Sequence, residues 1–204
     1  MNDKRITDVD GLVDAVNEYG ILQFWAEDHT SAWTLSGVNF NALWSIREQA
    51  VNSQRVAYGK FAQKKATFVS LDVFPYLCAL RRDGYDFDSL ADEGLAPNRE
   101  KLVMTAIGDD FAPSYALGKS LGMKGFDAVV TSLQNKTFLC LQFKKSMMGT
   151  ALLVKPENVF GAELVRSAYS LSADECVDRI KELAHKGLTV FDEKERAKML
   201  TKVI

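Results

Sequence analysis

The stretch PNREKLVMTAIGDDFAPSYALGKSLGMKGFDAVVTSLQNKTFLCLQFKKSMMGTALLV, residues 97–154, carries three helix patterns and then a hairpin pattern. Pro97–Ile107 reads as the first helix, Pro113–Leu121 as the second and Lys124–Lys136 as the third. Strands are expected at Thr137–Phe143 and Thr150–Val154, joined by Lys144–Gly149. Three helices followed by a hairpin is the element order of a winged helix, a helix-turn-helix variant whose third helix usually enters a DNA groove.

The third helix carries this reading. Phe126, Val129, Val130 and Leu133 fall at i, i+3, i+4 and i+7, one apolar stripe. At 100° per residue the opposite face holds Lys124, Ala128, Thr131 and Asn135, small and polar groups able to reach base edges. Any amphipathic helix with a solvated face shows the same period, so the neighbours decide. Gly122 and Gly125 supply a tight entry turn. An alternating strand follows directly. Lys144 and Lys145 stand at the hairpin tip, where a wing meets phosphates.

Composition sets the frame. With 204 residues, 47% hydrophobic and 25% charged, the chain suits one large domain or two small ones. It has no apolar run of about 18 residues, hence no expected membrane span. Met1–Asp10 is polar and acidic rather than a signal peptide. Cys78, Cys140 and Cys176 are widely spaced within apolar patterns, which suggests reduced thiols in a cytoplasmic protein. Only His29 and His185 are present, which excludes a His-rich metal site and disfavours a Cys/His one; no cofactor is expected.

Net charge is −2, but its distribution is uneven. Residues 1–53 sum to −5, 54–82 to +5, 83–96 to −5, 97–154 to +3 and 155–204 to zero. The positive charge gathers in the middle of the chain, which permits a local surface for an anionic partner such as DNA.

Along the rest of the chain, Thr7 can cap a helix that Gly20 ends. Ile21–Trp25 reads as a short strand. Leu43–Val51 fits either a helix or a strand. Gln54–Ser70 reads as a hairpin in which Arg55, Lys60, Lys64 and Lys65 alternate with Tyr58, Phe61 and Phe68. That mix suits phosphate contacts with base stacking, or else core aromatics beside solvated lysines. Ser70 or Asp72 starts a helix closed by Arg81 and Arg82, where cations favour the dipole. Asp83–Ala96 is the best linker. Pro156–Ala168 and a helix capped by Ser172 and Glu175 follow, the second ended by Gly187, with a last helix begun by Asp192. No internal repeat or low-complexity tract is visible. The expected fold class is α+β: an N-terminal mixed α/β part over 1–95, a central winged helix-turn-helix over 96–155 and a helical C-terminal tail over 156–204.

Several motifs resemble bacterial proteins of the AlkZ-related family. They are Tyr58-Gly59-Lys60-Phe61, Lys65-Ala66 with Phe68, Arg81-Arg82-Asp83-Gly84-Tyr85-Asp86, Arg99-Glu100-Lys101-Leu102, Lys124-Gly125-Phe126-Asp127, Leu133-Gln134 and Leu164-Val165-Arg166-Ser167-Ala168-Tyr169. The resemblance spans roughly Asp8 to Ile180. It implies a distant relation to the AlkZ DNA glycosylases, which are built from winged helices and excise alkylated or crosslinked bases. Their active site resembles a Gln-x-Gln pair. Here Gln134-Asn135-Lys136 departs at its third position and Gln142 has no second glutamine two residues away, so that motif is not carried over.

A glycosylase must extrude a base, hold it in a pocket and stabilise an oxocarbenium-like sugar with a carboxylate or a polarised water. Asp127, Glu100, Asp86 and Asp88 are the candidates. Asp127 in a first helical turn equally well complements the dipole. No nucleophile pattern or phosphate loop is present. The expectation is a DNA-binding protein contacting DNA through Lys124, Thr131, Asn135, Lys144 and Lys145, with Arg55, Lys60 and Lys65 adding backbone contacts. The alternatives are a base-excision enzyme with a pocket lined by Trp25, Trp33, Trp44 or Tyr58, and a protein–protein module on the same fold.

Overall fold

A computed structural model describes residues 6–24, 40–144, 150–189 and 191–203. Among the described residues the fold is α+β, with helices around two small antiparallel sheets. The first part runs α1 (Val9–Tyr19), β1 (Ile21–Gln23), α2 (Phe40–Asn52), β2 (Val56–Ala62), β3 (Lys65–Ser70) and α3 (Phe74–Arg82). A short α4 (Phe87–Asp92) leads into α5 (Asn98–Ile107), β4 (Phe111–Pro113), α6 (Ser114–Leu121), α7 (Phe126–Asn135), β5 (Cys140–Lys144), β6 (Thr150–Val154) and α8 (Pro156–Phe160). Then come α9 (Ala162–Arg166), α10 (Ala173–Leu183), α11 (His185–Leu188) and α12 (Glu193–Met199).

The two parts follow one topology, although their sequences show no repeat. Each has a helix, a short strand, a helix leading into a hairpin, and a further helix; the second part adds α6 before its pre-hairpin helix. The sheet orders are β1-β3-β2 and β4-β6-β5, so in both the last strand lies between the other two. What recurs is the order of elements and their burial, which many sequences satisfy. Nothing in the sequence announces β4. Three residues ending in Pro113 carry too little pattern, yet Phe111, Ala112 and Pro113 pair with Val154, Leu153 and Leu152.

Burial explains why the strands lack a clean alternation. On one face of the first sheet, Ala57, Phe61 and Val69 pack with α3 and with Val165, Cys176, Ile180 and Met199 of the C-terminal helices. On its other face, Val56, Tyr58 and Phe68 pack with α1, α2 and Phe143 from β5. A strand covered on both faces reads as nearly continuous apolar sequence. The second sheet closes over its own core of Val103, Leu117, Phe126, Val130, Leu133 and Leu153.

Local differences from the sequence reading have physical causes. Asp8, not Thr7, caps α1, its Oδ1 accepting from the Gly11 N–H at 2.8 Å. The stretch Asp83–Ala96 is no bare linker, because α4 drives Phe87 and Leu90 into the second core. The helix expected over Pro156–Ala168 breaks at Gly161, whose φ of 84° leaves the helical region. Gly187 sits inside the α11 turn, against β1; a Cβ there would lie 2.2 Å from the Ile21 carbonyl oxygen. The capping boxes of Ser172 with Glu175 and of Asp192 with Glu195 are both formed.

Candidate nucleic-acid interface

The apolar stripe of α7 is buried as its period requires: Phe126, Val129, Val130 and Leu133 all enter the second core. Its polar side is not a solvated face. Thr131 is 8% exposed and Gln134 2%. Both lie against β2, where Gln134 Oε1 accepts from the Lys60 backbone N–H at 2.7 Å and Thr131 Oγ1 accepts from Lys60 Nζ at 3.2 Å. Asn135 is half-buried, its carbonyl accepting from Arg81 at 2.7 Å. Among the positions expected on one exposed face, Lys124 and Ala128 are exposed and Thr131 is not. Periodicity locates the side facing the helix's own core and is silent about a second body.

The reciprocal contact is made by α2. At its last residue, Asn52 Nδ2 donates to the Phe143 carbonyl at 2.8 Å and Asn52 Oδ1 accepts from the Phe143 N–H at 3.0 Å. Gln142 Nε2 donates to the Val51 carbonyl at 3.3 Å. Five residues before Asn52, the Arg47 guanidinium lies 4.0 Å from the Trp44 ring centroid and 4.3 Å from that of Phe143. Such stacking favours a cation kept from water. Each pre-hairpin helix therefore uses an amide side chain to satisfy the backbone of the other part's first hairpin strand.

Two adjacent arginines fix the exit of α7. Their place at a helix end suggests exposed charges, yet both are fully buried. Arg81 donates to the carbonyls of Phe61 (2.5 Å), Asn135 (2.7 Å) and Met199 (3.0 Å), tying β2 to the C-termini of α7 and α12. Those helix ends carry partial negative charge, which suits a guanidinium. Burial without a carboxylate nonetheless pushes its pKa down to about 10. Arg82 donates to Thr137 Oγ1 at 3.1 Å, to the Thr137 carbonyl at 2.5 Å and to Tyr169 OH at 3.0 Å, and pairs with Glu157. Burial disfavours its charge, but Cys78 and Glu157 beside it more than offset that. Thr137 has φ of 65°, a strained conformation for a β-branched residue. Arg82 thus clamps the strained turn that sends the chain from α7 into β5.

The expected basic residues fall into separate groups. Arg55 is exposed and pairs with Asp10 at 2.5 Å. It follows Asn52 by three residues, so it lies at the same end of the molecule as Lys144, which is exposed beside Phe143. Lys64 is exposed and Lys65 half-buried at the β2–β3 turn, where Gln63 and Lys64 have φ of 53° and 61°. Lys60, half-buried, leans onto Thr131. Lys124 stands apart at the α7 entry, its carbonyl accepting from Arg99. Lys145 lies outside the described residues, as do Trp25 and Trp33. The aromatics interleaved with these lysines serve the core: Tyr58, Phe61 and Phe68 are 3%, 0% and 1% exposed, so they offer no platform to a base.

Two of the four candidate carboxylates are engaged. Glu100 is buried, bonded to Lys136 at 3.1 Å and to Ser132 at 2.7 Å, pinning α5 to α7. Asp86 pairs with Arg166 at 2.7 Å. Asp127 and Asp88 are exposed. A polar cleft of about 180 Å³ is lined by Asp86, Asp88, Asp109, Lys155, Glu157 and Arg166 over Phe87 and Phe138. Nothing in the sequence marks Glu157 and the neighbouring Tyr169 as partners of Arg82. Burial raises the Tyr169 pKa, partly opposed by Arg82. Among the described residues no three His, Cys, Asp or Glu side chains converge as a metal site, and no helix is long and apolar enough to cross a membrane.

These features define a class: an α+β protein of two topologically matched parts, each docked on the other through its pre-hairpin helix. The chain belongs to the AlkZ-related family, whose model matches residues 6–201, nearly the whole length. No curated protein and no solved structure matches it.

Proposed function

We propose that each part is a winged helix, and that the protein binds double-stranded DNA by its backbone through the outer ends of the two hairpins. The observation carrying this reading is the pairing of a buried α7 polar face with basic side chains at the hairpin ends. In β4-β6-β5 the helix, strand, helix, helix, hairpin order supports the winged-helix assignment. The family's name supports a link to DNA. Arg55 and Lys144 form one contact group, with Lys145 adjacent in sequence; Lys64 and Lys65 form the other. Lys124 adds a peripheral phosphate contact beside Arg99. Thr131, Asn135 and Lys60 serve the junction between the parts and do not read bases.

Fluorescence anisotropy with a labelled duplex tests this. The protein binds at low salt and loses affinity steeply as salt rises, since each phosphate contact releases counterions. Absence of binding at low salt overturns the reading. A base-excision activity is the second reading, favoured by the carboxylate-lined cleft beside Phe87 and Phe138. Its test is abasic product from an alkylated or crosslinked duplex.

A further inference from the structure

We infer that the outer edge of β4, around Phe111 and Asp110, is the docking site for a helix of a partner protein, one that presents small and apolar residues to the strand and a lysine to the acidic turn before it. The inference is independent of DNA binding.

It follows from setting the two sheets in register. In the first, Ile21 lies opposite Val69, and Val69 opposite Ala57. In the second, Phe111 lies opposite Val154, and Val154 opposite Cys140. Both rows are on the face turned away from the part's own core, whereas Leu22 and Phe68 in the first sheet, and Ala112 and Leu153 in the second, enter that core. Five of these six outward side chains are buried, Ile21 at 1% exposed, but Phe111 is 53% exposed. The turns before the two edge strands match as well. Gly20 closes α1 by donating to the Val16 carbonyl at 2.8 Å, and Gly108 closes α5 by donating to the Met104 carbonyl at 3.0 Å.

What differs is the cover. Ile21 is buried because the C-terminal helices lie over it, with Ala184 and Leu188 in the same cluster. A Cβ on Gly20 would lie 2.7 Å from the Ala184 Cβ, and Gly187 closes against the Ile21 carbonyl. A Cβ on Gly108 would meet nothing within 4 Å beyond its chain neighbours. Among the described residues β4 pairs only with β6. An open strand edge with an exposed aromatic invites association. At β1 the fold itself covers the equivalent edge with a helix.

The chemistry of the occupant follows from charge. Over β1, Lys186 of α11 pairs with Glu18 at 2.6 Å and lies 5.9 Å from the Tyr19 ring centroid. The turn before β4 carries Asp109 and Asp110, both exposed, the first bonded to Lys155 at 3.2 Å. A helix seated there with a lysine at its end meets opposite charge. A second copy of this chain cannot supply α11 without uncovering its own β1, so the helix belongs to a different protein.

A labelled synthetic peptide of residues 172–189, which spans α10 and α11, is the probe, titrated by fluorescence anisotropy against the full chain. Saturable binding is expected, weakened by about tenfold or more in Phe111→Ser, the scale for removing a central anchor. Asp110→Lys should weaken this peptide and tighten the peptide carrying Lys186→Glu. Both protein substitutions are at exposed positions, and circular dichroism melting confirms that the variants are folded. No saturable binding, or binding unchanged in Phe111→Ser, overturns the site. A charge preference that Asp110→Lys fails to reverse overturns the assigned chemistry. Sedimentation velocity should show no dimer. A dimer lost in Phe111→Ser would assign the edge to a second copy and overturn the partner helix.

Discussion

The side-chain amide of Asn52 holds both backbone groups of Phe143, donating to its carbonyl at 2.8 Å and accepting from its N–H at 3.0 Å. Asn52 thereby acts as a one-residue extension of the ladder on the outer edge of β5, where β6 pairs only the other side. An open strand edge is a site for unwanted pairing. Here the fold uses that edge to join its two parts.

Asn52→Ala should therefore weaken the junction rather than a local turn. Two hydrogen bonds disappear and two half-buried backbone groups are left without a partner, a cost of about 1–3 kcal/mol. Asn52→Asp keeps the acceptor and removes the donor, and should fall between. Urea unfolding followed by circular dichroism reads both. Wild-type stability in Asn52→Ala would show that the contact does not hold the parts together.

Arg82 is the larger structural dependency. Its guanidinium is fully buried and bonds Thr137, Tyr169 and Glu157. Arg82→Met leaves Glu157 without its counter-charge and the strained Thr137 turn without its clamp. The expected loss is about 3–5 kcal/mol, the range for breaking one side of a buried pair. Arg55→Gln is the contrast. Its pair with Asp10 is largely solvent-exposed and should cost about 0–1 kcal/mol. Equal losses would remove the distinction drawn between the two arginines.

Part of this was legible in the sequence and part was not, for identifiable reasons. The stripe Phe126, Val129, Val130 and Leu133 marks α7 because a helix must bury one apolar side. Asp192 and Ser172 mark helix starts because capping chemistry is local. The role of Thr131, Gln134 and Asn52 was hidden, because polar residues meeting another part of the fold look like polar residues meeting water. Tyr58 and Phe61 look available for stacking because the basic residues around them suggest solvent, whereas β2 is covered on both faces. The buried arginine pair had one usable signal: two charges directly following the apolar run Val73–Leu80.

The buried thiols make stability sensitive to alkali. Burial pushes the Cys78 pKa from an ordinary 9.0 to about 11, and raises that of Cys140 as well. In the unfolded chain these thiols ionise near pH 9, while in the folded chain they stay protonated. The contribution of Cys78 is complete below pH 9 and is lost as pH rises through about 11, and that of Cys140 is lost at still higher pH. For Cys78 this amounts to about 3 kcal/mol. Melting temperatures between pH 8 and pH 11 should fall, and Cys78→Ala should flatten the fall. A parallel decline in Cys78→Ala would assign it to other groups.

The central claim is that DNA meets the hairpin ends and not the polar face of α7. The most direct measurement is the slope of log affinity against log salt for three proteins on one duplex. Replacing Arg55, Lys64, Lys65 and Lys144 with glutamine should lower that slope by about 0.9 for each phosphate that is no longer neutralised. Thr131→Val, which removes the acceptor for Lys60 Nζ, should leave both slope and affinity at wild-type values. An unchanged slope in the four-site variant, or a drop in DNA affinity in folded Thr131→Val, would contradict the account.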